Sequence, residues 1–93
     1  RQFITKKEHI EMLKDILKIL EEELSLELND VTEKSTLFSQ GIDSITFMTL
    51  VIYIEEKYGI EFTFDGIFMQ KYSEVTFGNL IEEIQNLIDG KNN

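Results

Sequence analysis

The stretch LFSQGIDSITFMTLVIYIEEKYGI, residues 37–60, contains a short polar segment, Gly41–Ser44, followed by a predicted helix that is apolar on two sides. This helix is predicted from about Ser44 to Tyr58, because Gly59 is the type of residue that ends helices. At about 100° per residue, one side of the helix gathers large apolar residues into a core face. These residues are Phe47, Leu50, Val51, Ile54 and Tyr58. The stretch therefore predicts the central helix of an α-helical core.

A second apolar group, Ile45, Met48 and Ile52, lies on another side of the same helix, and Glu55 and Glu56 follow it one turn further along. A helix in the middle of a bundle can be apolar all round, so this second group could be ordinary core. An exposed apolar patch with an acidic border is instead typical of a protein contact. We favour the contact surface, because the three apolar residues lie in line and begin at the start of the helix.

Two further amphipathic helices flank this stretch. Thr5 and Glu8 match a capping box, and apolar residues then recur at alternating steps of three and four as far as Leu24. Near the end of the chain, Thr76 is an N-cap for a helix with one apolar face, and Gly90 follows that face. The sequence predicts a first helix from about Thr5 to Leu24 and a last helix that ends before Gly90.

The segments between these helices carry no sheet pattern. Residues 25–43 lack helical periodicity and are predicted to form a long loop, a kind that is usually functional. Residues 60–64 alternate like a strand, but no second strand is available to pair with them, so we expect an extended linker. A short helical turn is predicted near Gly66–Lys71. The expected fold class is all-α, a small four-helix bundle of three main helices and one short helix.

The size and charge of the chain limit its function. Its 93 residues fit one domain, residues 1–93, with a modest core. Nine Lys and Arg against 18 Asp and Glu give a net charge of −9, which repels nucleic acid and anionic lipid and attracts basic protein surfaces. There is no cysteine for a disulfide or a thiolate metal site, and no apolar run could cross a membrane. We expect a cytoplasmic monomer that binds no nucleic acid, membrane or metal.

Ser44 has three alternative roles. As a helix cap it would satisfy free amides, although Asp43 suits that role equally well. As a nucleophile it would need a base, but the one histidine, His9, lies in the first turn of the first helix, and the second glycine of a G-x-S-x-G elbow is missing. As a modification site it would lie at the positive end of a helix, which favours a phosphodiester. The residues disfavour a hydrolase and leave the cap and the modification site as alternatives.

Residues Gly41–Ile45 resemble the G-x-D-S-[LI] signature of acyl and peptidyl carrier proteins. The context of the motif is similar as well, since it begins the second helix after a long loop, and Leu37–Phe38 precedes it like the apolar pair of that family. Glu55–Ile60 resembles the E-E-x-[FY]-x-[IV] ending of the same helix in the family, and a capped amphipathic helix follows. The resemblance covers nearly the whole chain, as far as Ile88.

This resemblance implies a single carrier domain, residues 1–93, and not an enzyme. Ser44 Oγ would hold 4′-phosphopantetheine, taken from coenzyme A by a separate Mg²⁺-dependent phosphopantetheinyl transferase that recognises Asp43. The thiol of the arm would carry acyl, aminoacyl or peptidyl groups as thioesters. The chain would present them to enzymes of fatty-acid, polyketide or nonribosomal-peptide biosynthesis.

The resemblance also implies where those enzymes bind. Ile45, Met48 and Ile52 would lie beside the root of the arm, and Glu55 and Glu56 would meet Lys or Arg on basic docking surfaces of the loading and processing enzymes. Exposed charge pairs are individually worth about 0–1 kcal/mol, which suits a carrier that visits several partners. The alternative is a helical adaptor that uses the same surface and has no prosthetic group.

Two departures from the family pattern leave the subtype open. Thr46 stands where many fatty-acid carriers have an acid, and Gly41–Asp43 differs from the Gly-Gly-[DH] that precedes the serine of peptidyl carriers. Acyl and peptidyl carriers therefore remain alternatives. The short length and the strong negative charge favour a free-standing carrier over a domain excised from a larger synthase.

Overall fold

Three α-helices dominate the computed structural model, which describes residues 6–63 and 66–91. Helix α1 spans Lys6–Glu22, α2 spans Ser44–Tyr58, and α3 spans Phe77–Lys91. None of these three helices is long and apolar enough to cross a bilayer. The three main helices of the predicted bundle are confirmed.

Short 3₁₀ turns and one isolated bridge connect the helices within the described residues. The first 3₁₀ turn is Phe38–Gln40, the second is Gly66–Met69, and the third is Tyr72–Glu74. The second turn falls where the sequence predicted a short helical turn. The described residues contain no strand, and their one β-type contact is an antiparallel bridge between Thr36 and Thr76. The all-α fold class is therefore confirmed, with 3₁₀ turns in place of a single short helix.

Helix α2 has the predicted bounds, whereas α1 is shorter than predicted. Gly59 follows α2 in the left-handed region, at φ +64°, and its N–H donates to the Glu55 carbonyl at 2.9 Å. This is the conformation that glycine adopts at low cost at the end of a helix. Helix α1 ends at Glu22 and not at Leu24. Thr5, the first residue of the predicted capping box, lies outside the described residues.

Helix α3 begins as predicted and ends later. Thr76 Oγ1 accepts the Asn79 N–H at 3.0 Å, and Asn79 Oδ1 accepts the Thr76 N–H at 3.0 Å, so two free amides are satisfied reciprocally. The helix then continues through Gly90 to Lys91, so the prediction that it ends before Gly90 is wrong. Gly90 does not take up the positive φ that would end a helix there.

The core lies between the three helices, and among the described residues it contains no buried polar or charged side chain. Leu37 and Ile42, from the two sides of the first 3₁₀ turn, are fully buried in it. Each such side chain stabilises the fold by about 1.5–3 kcal/mol. The other fully buried side chains are Ile16, Leu20, Leu50, Ile54, Val75, Phe77, Leu80, Ile81 and Ile84. The loop in front of α2 is therefore held in the core by two side chains.

Backbone hydrogen bonds also join this loop to the segment before α3. The Leu37 N–H donates to the Val75 carbonyl at 2.9 Å, and the Phe77 N–H donates to the Ser35 carbonyl at 3.0 Å. These bonds satisfy loop amides that would otherwise need water. They also place the start of α2 next to the third 3₁₀ turn.

Candidate functional site

Asp43 is the N-cap of α2, which decides between the two capping alternatives left by the sequence. Its backbone is extended, with φ −83° and ψ 178°, and its Oδ1 accepts the Thr46 N–H at 2.7 Å. Its carbonyl accepts the Phe47 N–H at 2.9 Å. The hydrogen bond from the Thr46 backbone lowers the pKa of the Asp43 carboxyl. The exposed side chain is therefore a carboxylate at neutral pH.

Ser44 is free of the capping role and is the first residue of α2. Its side chain is exposed, and its hydroxyl makes no hydrogen bond to the part of the chain that the structure describes. The interpretation of Ser44 as the cap is wrong, because the carboxylate of Asp43 occupies that position. A hydroxyl placed in this way is accessible to an enzyme, and the positive end of the helix favours an anionic group beside it.

A small cavity of about 180 Å³ opens beside Ser44, between α2 and the second and third 3₁₀ turns. It is lined by Ser44, Phe47, Met48, Ile67, Gln70, Tyr72 and Val75. None of these side chains is an imidazole, amine or carboxylate that could take a proton from the hydroxyl. His9 contacts Glu33, with 2.8 Å between Nδ1 and Oε1. The described lining of this cavity therefore offers Ser44 no general base.

Tyr72, in the third 3₁₀ turn, contacts the residues directly in front of Ser44. Its hydroxyl donates to the Ile42 carbonyl and lies 3.2 Å from the Asp43 carbonyl. Its ring centroid is 5.4 Å from that of Phe47. Burial, and then the negative charge of Asp43, raise the pKa of Tyr72 to about 12, so the phenol keeps its proton at neutral pH. Sequence reasoning missed Tyr72, because one tyrosine in an irregular segment has no periodic pattern.

The second apolar group of α2 is exposed. Ile45, Met48 and Ile52 expose 77%, 50% and 55% of their surfaces. The alternative in which they belong to the core is therefore wrong, because no described element covers this side of α2. The opposite side, which contains Leu50 and Ile54, is fully buried. An apolar row of this kind on a helix surface is typical of a binding site.

Two apolar side chains in the 3₁₀ turns are also exposed and were not predicted to be. Of the apolar pair Leu37–Phe38, only Leu37 is buried, and Phe38 in the first 3₁₀ turn exposes 61% of its surface. Met69, in the second 3₁₀ turn, exposes 76%. A sequence signal for either residue was weak, since a 3₁₀ turn is too short to show which side faces the core.

The two acids at the end of α2 differ in their surroundings, although the sequence analysis treated them alike. Glu56 is exposed. Glu55 is half-buried, and its Oε2 accepts the Phe62 N–H at 2.9 Å. Glu55 therefore holds the segment that follows α2, and only Glu56 lies fully on the surface. The role of Glu55 in partner binding stays a prediction, and helical spacing did not show its bond to a later segment.

The family model described as "Phosphopantetheine attachment site" matches residues 14–83, which run from within α1 to within α3 and include the start of α2. The chain belongs to this family. Its cofactor is 4′-phosphopantetheine, held covalently on a serine, so the protein is a phosphopantetheine-carrying carrier. No curated protein and no solved structure matches the chain.

The start of α2 in the carrier fits a phosphopantetheine group. Ser44 offers an exposed hydroxyl that is not used elsewhere in the described residues, and Asp43 has already capped the helix. A phosphodiester there would lie at the positive end of α2, where negative charge is stabilised. The apolar row of α2 begins at the next residue, Ile45.

Proposed function

We propose that Ser44 is the attachment residue of the carrier and that its Oγ holds the 4′-phosphopantetheine arm. The observation that carries this proposal is the exposed hydroxyl at the first position of α2, which the Asp43 cap leaves without a hydrogen bond in the described residues. Four other serines, Ser25, Ser35, Ser39 and Ser73, lie in the matched range, and none of them is the first residue of an α-helix. The hydroxyls of Ser35 and Ser39 are hydrogen-bonded to the backbone of the loop before α2.

Attachment is a substitution at phosphorus that a separate phosphopantetheinyl transferase carries out with Mg²⁺. Ser44 Oγ forms a P–O bond to the phosphate that bears the pantetheine, the pyrophosphate P–O bond of coenzyme A breaks, and adenosine 3′,5′-bisphosphate leaves. The hydroxyl proton passes to the transferase. The carrier supplies the accessible oxygen and the helix end that stabilises the phosphodiester. We assign the exposed carboxylate of Asp43 to recognition by the transferase.

The carrier presents its cargo and does not itself catalyse a reaction. The thiol of the arm holds acyl, aminoacyl or peptidyl groups as thioesters for enzymes of fatty-acid, polyketide or nonribosomal-peptide biosynthesis. The chain acts in this role as a single domain, residues 1–93. A protein without cysteine gains a reactive thiol in this way.

The α2 docking surface, which we define as Ile45, Met48, Ile52 and Glu56, binds the partner enzymes. Its three apolar side chains are exposed and follow Ser44 along the helix, so a partner seated on them reaches the arm. Glu56 and the net charge of −9 attract a basic partner surface and speed the encounter. Weak single pairs allow the partner to leave after the reaction.

Intact mass spectrometry tests the attachment. The purified protein is measured before and after incubation with a transferase of broad specificity, coenzyme A and Mg²⁺, beside Ser44→Ala. We expect the wild type to gain one phosphopantetheine and Ser44→Ala to gain none. A gain in both proteins would move the attachment to another serine. No gain in folded, unmodified wild-type protein would favour an adaptor that binds partners through α2 alone.

A further inference from the structure

We infer that Tyr72 is a positioning residue for Ser44, whose hydroxyl fixes the two peptide groups in front of the attachment serine. This inference rests on the proposed function of Ser44. The phenol bonds to two successive carbonyls, those of Ile42 and Asp43. One donor shared by two neighbouring carbonyls restrains both peptide planes. The second of these planes includes the backbone nitrogen of Ser44.

The Asp43 carbonyl is contacted by two elements, α2 and the third 3₁₀ turn. It accepts the Phe47 N–H at 2.9 Å, which is the first backbone hydrogen bond of α2, and it lies 3.2 Å from the Tyr72 hydroxyl. The orientation of the peptide group that joins Asp43 to Ser44 therefore depends on a bond within α2 and on a bond from the third 3₁₀ turn. Without the phenol, only the bond within α2 would hold this peptide group.

Tyr72 is itself held firmly enough to act as a restraint. Its ring packs against Phe47, with 5.4 Å between the ring centroids. Its carbonyl accepts the Val75 N–H at 3.1 Å, and the Val75 carbonyl accepts the Leu37 N–H at 2.9 Å. Both ends of the loop that contains residues 38–42 are therefore tied to the segment 72–75. The Tyr72 side chain is therefore held in place while its hydroxyl bonds to the peptide groups directly before Ser44.

The chemical consequence concerns the transfer of phosphopantetheine. The serine oxygen must be aligned with the phosphorus of coenzyme A, and a less ordered serine adopts that alignment less often. A higher carrier concentration does not restore alignment, so a positioning defect lowers kcat as well as kcat/KM. A docking defect would instead raise KM alone.

The variant Tyr72→Phe tests the inference, because it keeps the ring and removes only the hydroxyl. We expect kcat/KM for loading by the transferase to fall about five-fold, which corresponds to about 1 kcal/mol, the usual net value of a hydrogen bond. We expect kcat to fall with it. Loading at the wild-type rate would overturn the inference.

Tyr58→Phe is the matched control. Tyr58 is also half-buried, and its hydroxyl donates to Asp15 Oδ2 at 2.9 Å near the opposite end of α2. Both variants remove one half-buried phenol hydroxyl, Tyr72→Phe from the third 3₁₀ turn and Tyr58→Phe from the end of α2, so a general loss of stability would slow both. We expect Tyr58→Phe to load at the wild-type rate. If it slows as much as Tyr72→Phe, the effect is one of stability, and the inference is wrong.

Amide hydrogen exchange supplies a readout that does not depend on loading. In Tyr72→Phe, we expect faster exchange of the Phe47 amide, which bonds to the Asp43 carbonyl, and unchanged exchange of the Gly59 amide, which bonds to the Glu55 carbonyl. Equal rates at Phe47 in the variant and the wild type would overturn the inference. If Tyr72→Phe does not fold, Phe47→Leu removes the ring neighbour of Tyr72. We then expect the amide of residue 47 to exchange faster and the Gly59 amide to be unchanged, and an unchanged amide at residue 47 would overturn the inference.

The two proposals fail in different ways. If the wild type gains no phosphopantetheine, the attachment at Ser44 fails, while the exchange experiment still tests whether Tyr72 orders the start of α2. If the wild type is loaded and Tyr72→Phe is loaded equally fast, the attachment stands and the positioning role does not.

Discussion

The two apolar faces of α2 have the same kinds of side chain in opposite surroundings. On the inner face, Leu50 and Ile54 are fully buried. On the outer face, Ile45 and Ile52 expose 77% and 55% of their surfaces. Helical periodicity defines both faces equally well. Only the elements packed against the helix decide which face is core, and those elements come from distant parts of the chain.

The two faces differ in the step, folding or partner binding, at which their apolar surface would be removed from water. Burial contributes about 25 cal/mol for each Å² of apolar area removed from water. The inner face gains this free energy when the chain folds. The outer face remains hydrated in the folded carrier, and under the proposed function it gains this free energy when a partner covers the α2 docking surface. Substitutions on the two faces should therefore change different measured quantities.

The largest effect is expected from Leu50→Ala on the inner face. It removes a fully buried side chain and leaves a cavity, which typically lowers the free energy of unfolding by about 2–5 kcal/mol. Ile52→Ala, a similar truncation on the outer face, should change it by less than about 0.5 kcal/mol. Urea unfolding followed by circular dichroism measures both. Equal losses in the two variants would show that the outer face is packed in solution and would remove the basis for a docking surface.

Local signals were enough to predict the bounds and the inner face of α2. The apolar spacing and Gly59 together define that helix, since both act within one or two turns. The start of α3 at Thr76 was predictable for the same reason, because a capping side chain bonds to amides three residues away. The signature around Ser44 gave the family, and the family model agrees with it.

Contacts between distant segments could not be predicted. Tyr72 bonds to carbonyls about 30 residues earlier in the chain, and nothing in its own neighbourhood indicates this. Glu55 was predicted to face a partner, but its bond to the Phe62 N–H depends on the path of the chain after Gly59. The sequence also left Asp43 and Ser44 as alternative caps, because both side chains can accept from an amide and only the backbone angles decide between them.

A second prediction concerns docking. Met48→Ala should weaken binding of a partner enzyme by about 1–2 kcal/mol, since Met48 lies in the middle of the exposed row, and should leave the stability of the carrier unchanged. The KM of the transferase for the carrier measures the effect. Ile10→Ala is the control, because Ile10 is an exposed apolar residue on α1. The same rise in KM in both variants would mean that the outer face of α2 has no special role.

A third prediction tests Asp43, the N-cap of α2. The pKa of Asp43 is lowered in the folded carrier, so between the folded and unfolded pKa values the unfolded chain binds more protons. The charge of Asp43 therefore stabilises the fold fully above the unfolded pKa of about 3.9, and this contribution is lost as the pH falls through the folded pKa. Asparagine caps a helix about as well but does not titrate.

The wild type should therefore melt at a higher temperature than Asp43→Asn at pH 7, and the difference should shrink as the pH falls below about 4. Thermal unfolding at both pH values measures it. A difference in Tm that is the same at pH 7 and at pH 3 would show that the charge of Asp43 has no part in capping α2.

The smallest effect is expected at the acidic end of α2, where two adjacent glutamates should behave differently. Glu56→Gln removes an exposed charge from the α2 docking surface, so the association rate with a basic partner should fall by the equivalent of about 0–1 kcal/mol and depend less on salt. Glu55→Gln removes the same charge one residue away, but its carboxylate holds the Phe62 amide, so we expect a lower Tm and a smaller change in rate. Stopped-flow association at two salt concentrations, beside thermal unfolding, separates the two. If Glu55→Gln and Glu56→Gln lower the association rate equally, Glu55 also belongs to the docking surface, because its second carboxylate oxygen would then have to face the partner.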